Sequence, residues 1–454
     1  MKKYFSSYWV RSAFYTFLQR FSLTFFGLVN FMVLIRTLGD DKTKMGIWAL
    51  FLTITTIFEA SKSNLLKNAH IKFASSSNDA DEKSAIASSS FLINSFLTLL
   101  FILLILILSR YFGVWFNTGN DLSEMLIWYI PGLICMVPFS HYEAVQQSNL
   151  DFKGVFSGYF TRQFLFFLII VGHLVFKVPF TLTHLAVYQS VSILAGTVVL
   201  FFSSRKYLSN VFNPTVVWVK KIVGFGGYIF GSGFMANLFA NVDQLMTGAY
   251  MSTASVAYYN AASRINQLVD IPSYAASEIL FPKLSRANVE EGIQKVRYLY
   301  ERMVAILFSF TTPAAIVVIL FPTFIIDIIA GAQYRSAAPI LQIYMLIGIL
   351  RPLQNQSANL LNSIGKPRLC FTINAISLGA NLLINYICLV NFGFYGAAIG
   401  TLITCILGTV AWQLVMRKEI NTRPANLFNH VLDTYRILFA LIGNAFSKAG
   451  PVRL

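Results

Sequence analysis

The chain has 454 residues, of which 56% are hydrophobic and only 12% are charged, and its mean hydropathy is +0.63. A soluble protein carries about 25% charged residues, so the composition excludes a water-soluble globular domain and makes lipid the expected solvent. The formal net charge of +16 is spread over short loops. A nucleic-acid-binding protein gathers such charge on one face, so that class is disfavoured.

A helix needs about 20 apolar residues to cross the hydrocarbon core of a bilayer. Solid apolar runs of this length recur along the whole sequence, and about twelve of them qualify. In chain order the predicted spans are 14–35, 45–65, 86–109, 123–145, 156–176, 181–203, 222–241, 246–271, 299–320, 337–362, 369–390 and 394–416. The sequence therefore predicts an all-α polytopic membrane protein with about 12 transmembrane helices.

A basic loop in the middle of the chain divides these spans into two sets of six. The predicted organisation is an N-terminal six-helix lobe, a cytoplasmic inter-lobe loop, a C-terminal six-helix lobe and a cytoplasmic tail, at 1–203, 204–221, 222–418 and 419–454 respectively. In the tail, apolar residues recur at helical spacing over 427–446. This pattern predicts an amphipathic helix at the membrane interface, with a thirteenth span as the alternative.

The distribution of lysine and arginine predicts the orientation, because these residues are hard to translocate and stay on the cytoplasmic side. Most of the 35 are assigned to the termini and to alternate loops, which places both termini in the cytoplasm. Six fall in the opposite loops: Arg36, Lys42, Lys44, Arg110, Lys177 and Arg335. Arg264 and Arg351 belong to neither group of loops, because they fall inside apolar segments.

Arg264 and Arg351 each belong to a series of polar residues that recur at steps of three or four. This spacing places each series, or polar stripe, on one face of its helix. A charge in hydrocarbon is costly and usually marks a pathway, so the stripes predict a cationic, amide-lined substrate cavity. Its candidate residues are Arg264, Arg351, Asn260, Gln267, Gln354, Asn355, Arg20, Asn237 and Asn241. The alternative is an interhelical ion pair, such as Arg264 with Glu59 or Asp270, or a side chain that reaches the interface.

Other polar residues in the spans have weaker signals. Glu59, Asp243 and Asp270 are candidates for ion coupling, with a loop-facing role as the alternative. The asparagines of span 369–390 are expected to join helices, and His141 and Glu143 are treated as interface residues. The loops hold no catalytic constellation and no metal-ligand cluster. The chain is therefore expected to be a transporter with no cofactor, driven at most by a proton or sodium gradient.

Several segments resemble the polysaccharide flippases of the multidrug/oligosaccharidyl-lipid/polysaccharide exporter superfamily, in particular the Wzx-type O-antigen translocases. They are Leu38-Gly39 with Gly46-Ile-Trp-Ala-Leu50, Ala257-Tyr-Tyr-Asn-Ala-Ala-Ser-Arg-Ile265, Phe281-Pro-Lys-Leu-Ser285, Leu361-Asn-Ser-Ile-Gly-Lys366 and Asn381-Leu-Leu-Ile-Asn385 with Gly393-Phe-Tyr-Gly-Ala-Ala-Ile-Gly-Thr401. The resemblance implies a MATE-like fold of two six-helix lobes around a central cavity. It also implies translocation of an undecaprenyl-diphosphate-linked oligosaccharide across the bacterial inner membrane by alternating access.

The resemblance further implies that Arg264 matches the arginine of the family's eighth span, where a cationic cavity meets the diphosphate. Lipid II flippases carry two further C-terminal spans, and the tail here has room for at most one partial helix, which disfavours that branch. The first span offers only Arg20 as an inward cation, so a weakly cationic N-terminal lobe is expected. The implied partners are the lipid-linked oligosaccharide, membrane lipids and a polysaccharide polymerase, with no nucleic acid.

Two other functions stay open at this point. A cation-coupled multidrug exporter of the same fold would hold membrane-embedded carboxylates and few central cations. A membrane enzyme such as an O-antigen polymerase or ligase would need a sizeable external loop, and the predicted external loops are short.

Overall fold

The computed structural model describes residues 2–38, 41–77, 79–208, 212–423 and 425–436. These residues form α-helices joined by short turns. The helices are α1 Lys2–Thr37, α2 Lys42–Ser76, α3 Ala80–Trp115, α4 Asp121–Trp128, α5 Ile130–Ser148, α6 Phe152–Phe176, α7 Leu182–Ser204, α8 Val216–Tyr250, α9 Thr253–Glu290, α10 Ile293–Leu320, α11 Pro322–Ile329, α12 Ala338–Ser363, α13 Pro367–Phe392 and α14 Gly396–Ile420. Residues 425–436 are also helical.

Within the described residues, seven helical stretches are long and apolar enough to cross a membrane, or up to nine if each bent pair is one span. Large apolar side chains point outward from them, for example Leu99, Leu103 and Ile107 on α3. Helices satisfy their own backbone groups, so such surfaces are stable in lipid. The chain is therefore a multi-pass all-α membrane protein, as predicted, while the count of twelve spans stays a prediction.

Two predicted spans differ from the helices observed. Span 123–145 consists of α4 and α5, which meet at an angle of 42°; Pro131 lies in the first turn of α5, where its missing N–H is tolerated. Span 246–271 runs across the break between α8 and α9. The hydroxyl of Ser252 there accepts a hydrogen bond from the backbone N–H of Ser255 at 3.1 Å, so it caps the start of a new helix.

Contacts divide the chain into two compact units, and the first is Met1–Asn260. In this unit α2 packs against α8, α3 and α5, while α6 packs against α1 and α7. One cluster of buried side chains joins α2, α3 and α8, namely Leu65, Leu66, Ala69, Ile93 and Ile222. The long and partly polar helix α2 is thus surrounded by other helices.

The second unit is Ala261–Leu454, and its helix α14 packs against α12 and α13. Its core includes Tyr300, Leu360, Trp412 and Met416, with Leu427 of the tail packed against it. The tail also lies against α10, because the hydroxyl of Tyr435 donates to the carbonyl oxygen of Ser309 at 3.0 Å. Residues 437–446 of the predicted tail helix lie outside the described residues, so the choice between an interfacial helix and a span stays open.

The boundary between the predicted lobes also stays a prediction. The two compact units meet inside α9, whereas the sequence places the boundary at 204–221. The second half of that loop is helical, because Thr215 caps α8 by accepting from the backbone N–H of Trp218.

Gly46 allows a very close approach between two backbone segments of the first unit. A Cβ atom at Gly46 would lie 1.7 Å from the carbonyl oxygen of Thr253, so Gly46→Ala must push α2 away from the start of α9. Overpacking of this kind costs about 1–3 kcal/mol, and the melting temperature in detergent should fall. The matched control is Gly224→Ala, because no atom lies within 4 Å of that added methyl. Equal melting temperatures for the two variants would contradict this contact.

Candidate functional site

The first unit contains a polar cavity of about 280 Å³, which we call the inner cavity. Helices α2, α3, α5 and α6 supply most of its wall. Its polar lining includes Thr56, Glu59, Lys62, Ser63, Lys67, His70, Ser90, Asn94, His141, Glu143, Tyr159, Arg162 and Gln189. A cavity lined this way inside a lipid-exposed helical unit is a candidate ligand site.

Helix α2 provides one side of the inner cavity because it continues without a break to Ser76. Glu59, Lys62, Ser63, Lys67 and His70 recur at steps of one, three or four residues along it. Side chains at this spacing share one helix face. The stripe therefore turns a single face of α2 toward the cavity.

Lys62 is the most deeply buried cation of this stripe, and its side chain is only 1% exposed. Its Nζ lies 3.0 Å from Oε1 of Glu59 and donates to the hydroxyl of Thr98 at 2.9 Å. The ammonium also lies 5.2 Å from the ring centroid of Phe58. A buried charge needs this combination of a counter-ion and further hydrogen bonds.

Glu143 forms the second charged group of the inner cavity. This carboxylate is 3% exposed and accepts from Nζ of Lys67 at 2.7 Å, the hydroxyl of Tyr159 at 2.9 Å and Nε2 of Gln147 at 3.2 Å. Three donors hold it in place. The sequence interpretation of Glu143 as an interface residue is wrong, since it connects α2, α5 and α6 inside the unit.

The surroundings of Arg162 differ from those of Lys62 and Lys67. Its Nε is buried without a hydrogen-bond partner, and its Nη1 is 3.5 Å from the sulfur of Met136. The guanidinium lies 5.6 Å from the ring centroid of Phe139. No carboxylate pairs with Arg162 among the described residues, so its fork of donors is open to an anion.

The inner cavity thus holds three cations and two carboxylates, and its formal charge is positive when both histidines are neutral. The sequence predicts a weakly cationic N-terminal lobe with Arg20 as the inward cation of its first span, and the structure adds Lys62, Lys67 and Arg162 inside this unit. The charge sorting missed Lys62 and Arg162 because it counted only Arg264 and Arg351 inside apolar segments, although these two also lie within the predicted spans 45–65 and 156–176.

In the second unit, the two arginines of the predicted polar stripes have different surroundings. Arg351 forms an ion pair with Asp270, and its Nη1 lies 2.8 Å from the side chain of Asn266, in the amide orientation that also satisfies the carbonyl of Tyr344. Asp270 therefore pairs with Arg351 rather than with Arg264. Nε of Arg264 is buried without a hydrogen-bond partner.

Comparison with known sequences identifies the family. Residues 33–339 match the family described as polysaccharide biosynthesis protein. The chain belongs to this family.

Curated relatives cover part of the chain. It is 28% identical over 230 residues to an uncharacterized membrane protein of Methanocaldococcus jannaschii. This match covers 48% of this chain and 45% of that protein. It is 23% identical over 220 residues to the probable low-salt glycan biosynthesis flippase Agl15 of Haloferax volcanii, 48% of this chain and 47% of that one. For the lipopolysaccharide biosynthesis protein WzxC of Escherichia coli, identity is 20% over 206 residues, 43% of this chain and 40% of that one. The matches thus span less than half the length of these relatives.

Solved structures share the fold. The lipid II flippase MurJ in an inward closed conformation has a TM-score of 0.75 at 16% identity, and the match covers 95% of this chain and 92% of that one. An inward-facing multidrug resistance MATE family transporter also has a TM-score of 0.75, at 15% identity, and the match covers 87% and 94%. These likenesses confirm the predicted MATE-like architecture.

The other predicted cavity residues are distributed over both units. Glu59 is the one member of the predicted set that lines the inner cavity. Asn260 is buried and donates to Gln244 at 3.3 Å, and the amides of Asn237 and Asn241 each donate to the carbonyl one turn earlier at 2.8 Å. These three amides are therefore engaged within the protein.

Five predicted residues remain to be placed. In the second unit Gln354 donates to the carbonyl oxygen of Cys405 at 2.8 Å and to the hydroxyl of Thr409 at 2.9 Å. Asn355 is half-buried, and Gln267 and Arg20 are exposed. Asp243, in the first unit, is buried, and its carboxylate accepts from the backbone N–H of Gln244. The role of each in binding or coupling stays a prediction.

The asparagines of α13 form a ladder with α14, as predicted. Nδ2 of Asn385 donates to the hydroxyl of Thr401 at 3.1 Å and to Oδ1 of Asn381 at 3.3 Å. All three side chains are buried. The prediction that this stripe joins helices is confirmed.

The Asp270–Arg351 pair should be important for stability. The Asp270 side chain is 4% exposed and that of Arg351 is 26% exposed, so Asp270→Asn removes a buried carboxylate charge from this ion pair. Breaking a buried pair from one side costs about 3–5 kcal/mol, and the midpoint of thermal unfolding in detergent should fall clearly. The control is Asp433→Asn, whose ion pair with Arg436 is exposed on both sides and is worth about 0–1 kcal/mol. Similar losses in both variants would show that the Asp270 pair is not desolvated.

Proposed function

We propose that this protein is a flippase that moves an undecaprenyl-diphosphate-linked oligosaccharide across the bacterial inner membrane by alternating access. The observation that carries the proposal is the inner cavity, where Lys62 and Lys67 each pair with a carboxylate while Arg162 pairs with none in the part of the chain that the structure describes. Membership of the polysaccharide biosynthesis family and the named flippases among the relatives support it. They also favour a transporter over a polymerase or ligase.

The charge pattern of the inner cavity suits a diphosphate. The planar guanidinium of Arg162 matches the spacing of two phosphate oxygens, and its Nε is already desolvated without a partner. Lys62 and Lys67 are each held by a carboxylate, which limits the charge of the empty cavity. An arriving anion therefore meets one strong donor and two partly neutralised cations.

The remaining polar lining suits hydroxyl groups of a sugar. Oδ1 of Asn94 and the hydroxyl of Ser90 are buried without hydrogen-bond partners, although both line the cavity. Buried polar atoms of this kind gain most from a hydrogen-bonding ligand. The lipid tail of the substrate would stay in the bilayer while the head group crosses. Arg264 would supply a second anion contact within its own unit.

Several further features belong to the same proposal. The energy source would be a proton or sodium gradient, with Glu59 as the first candidate because it lines the inner cavity beside Lys62. Asp270 is a weaker candidate, since Arg351 already holds it. Both termini would lie in the cytoplasm, and a polysaccharide polymerase would receive the translocated unit.

A cation-coupled multidrug exporter is the second candidate. The observation that favours it is the pair of carboxylates, Glu59 and Glu143, that line the inner cavity. The likeness to a MATE transporter is as high as that to MurJ, with a TM-score of 0.75 for each. The uncompensated guanidinium of Arg162 argues against a cationic drug, because like charges repel.

Arg162→Ala and Arg264→Ala should each lower polysaccharide export. The test uses a strain whose own gene copy is deleted and complemented with each variant. The loss of a charged hydrogen bond of about 1.5–3 kcal/mol predicts at least a tenfold lower export rate. Surface polysaccharide should fall and lipid-linked oligosaccharide should accumulate, at equal membrane abundance of the protein. The matched control is Arg302→Ala, because Arg302 is exposed on α10.

A binding experiment distinguishes the flippase from the multidrug exporter. It measures the affinity of the purified protein, in detergent, for undecaprenyl diphosphate, undecaprenyl phosphate and undecaprenol. The wild-type protein should prefer the diphosphate, and Arg162→Ala should lose that preference. Wild-type export by Arg162→Ala together with equal binding of all three lipids would remove the inner cavity from the mechanism. Drug resistance on overexpression would then support the exporter.

A further inference from the structure

A second cavity lies in the first unit, and its volume is about 590 Å³. Pockets of about 300–1,000 Å³ are the usual size for small-molecule ligands. Four aromatic rings line this cavity, and we call it the aromatic pocket: Phe91 of α3, Tyr142 of α5, and Tyr207 and Phe212 of the segment between α7 and α8. Its size and lining make it a second candidate ligand site.

The aromatic pocket adjoins the inner cavity. His70 and His141 line both spaces, and their ring centroids are 6.1 Å apart. On α3, Ala87 lines the aromatic pocket, and Ser90, about one turn later, lines the inner cavity. The two cavities are therefore close enough to hold two neighbouring groups of one ligand.

The two cavities differ in charge. Among the described residues, the charged side chains that line the aromatic pocket are Asp81, Lys83 and Lys206, and Lys206 forms an ion pair with Asp151 at 3.0 Å. One carboxylate and one lysine remain, so the pocket is close to neutral when its histidines are neutral. The inner cavity instead holds the guanidinium of Arg162, which no carboxylate of the described chain neutralises. The aromatic pocket thus suits an uncharged group, and the inner cavity suits an anionic one.

The backbone next to Phe212 is anchored to α3. The hydroxyl of Ser88 on this helix accepts a hydrogen bond from the backbone N–H of Asn213 at 3.1 Å. The ring of Phe212 lies with its centroid 6.3 Å from that of Phe91, yet the side chain is 61% exposed. An aromatic ring that is already fixed and still has an open face loses little conformational entropy when a ligand packs on it.

Polar groups complement these rings. Nδ1 of His70 is buried without a hydrogen-bond partner, and the histidine is 2% exposed. Such an atom is rare in a folded protein, and a ligand can supply the missing hydrogen bond. The carboxylate of Asp81 and the amide of Asn149 line the pocket from exposed positions. Together these groups both donate and accept hydrogen bonds, as sugar hydroxyls require.

We propose that the aromatic pocket binds the sugar residues of the lipid-linked oligosaccharide while its diphosphate occupies the inner cavity. This site rests on the proposed function, because its ligand is the head group of the proposed substrate. Aromatic rings carry a negative face, which attracts the C–H groups of a sugar ring, so Phe91 and Phe212 hold one face of the sugar. Its hydroxyl groups bond to His70, Asp81 and Asn149. A neutral sugar is preferred to an acidic one, because the charges that line the pocket offset each other.

Thiol protection in the purified full chain tests this assignment. Ala87→Cys reports on the aromatic pocket, and Ser63→Cys on α2 reports on the inner cavity. Each variant is labelled with a small thiol reagent, and mass spectrometry of the labelled peptide separates the introduced cysteine from the native ones. Three probes are compared. They are the reducing oligosaccharide that mild acid frees from the lipid-linked fraction of the host's membranes, inorganic diphosphate, and glycerol phosphate as the head-group fragment of an anionic phospholipid.

We expect the oligosaccharide to slow the labelling of Ala87→Cys roughly tenfold once its concentration is about ten times its dissociation constant. The labelling of Ser63→Cys should not change. Inorganic diphosphate should do the reverse, slowing Ser63→Cys and leaving Ala87→Cys unchanged. If diphosphate does not protect Ser63→Cys while the oligosaccharide protects Ala87→Cys, the proposed diphosphate site fails and the sugar site stands.

Phe212→Leu keeps an apolar side chain but removes the aromatic face. In the Ala87→Cys background it should raise the oligosaccharide concentration that gives half-protection about threefold to tenfold, the range that an aromatic contact contributes. Phe212→Tyr should keep the parent value. The matched control is Phe202→Leu, because Phe202 is an exposed ring of α7 that lines neither cavity. Three results would each overturn the sugar site: no protection of Ala87→Cys by the oligosaccharide, equal responses of Phe212→Leu and Phe202→Leu, or protection of Ala87→Cys by glycerol phosphate in place of the oligosaccharide.

Discussion

The arrangement of the first unit depends on the free-energy cost of burying charged side chains away from water. A lysine as buried as Lys62 is stable only with a counter-ion, and Glu59 supplies one from a turn away on the same helix. Glu143 does the same for Lys67 and gains two further donors. Arg162 is left without such a partner among the described residues. Because two of three cations are neutralised, the third defines where an external anion is most stabilised.

The same constraint explains why α2 differs from its neighbours. A helix that carries Glu59, Lys62 and Lys67 cannot face lipid on that side, so it lies among α3, α5 and α8. Helix α3 is apolar enough to face lipid and exposes large side chains such as Leu103. The same helix also supplies Ser90 and Asn94 to the inner cavity, so α3 divides the two roles between its own residues.

The sequence predicts helices well where the signal is local. Apolar runs place the spans, and the spacing of Asn381 and Asn385 predicts a contact between helices that the structure confirms. The break at Ser252 is missed because the run around it is apolar on both sides, and a capping hydroxyl is a weak signal there.

The candidate site is harder to predict, because its parts are distant in the chain. His70 and His141 come from different helices, and nothing near either residue indicates that their rings meet. Lys62 and Arg162 are misassigned for another reason: sorting by position cannot tell a charge at the end of a span from one that faces an interior cavity. That both side chains line one cavity with Glu59 and Glu143 becomes evident only from the packing of α2, α5 and α6.

The ladder between α13 and α14 has a mechanical consequence. Asn381 and Asn385 meet Thr401 in a buried row, and Gly400 brings the helices so close that an added Cβ would lie 2.2 Å from Oδ1 of Asn385. Sliding or rotating one helix against the other would break these bonds in a medium that offers no substitute donors. We therefore expect α13 and α14 to move as one rigid body, so that a displacement of one helix also displaces the other.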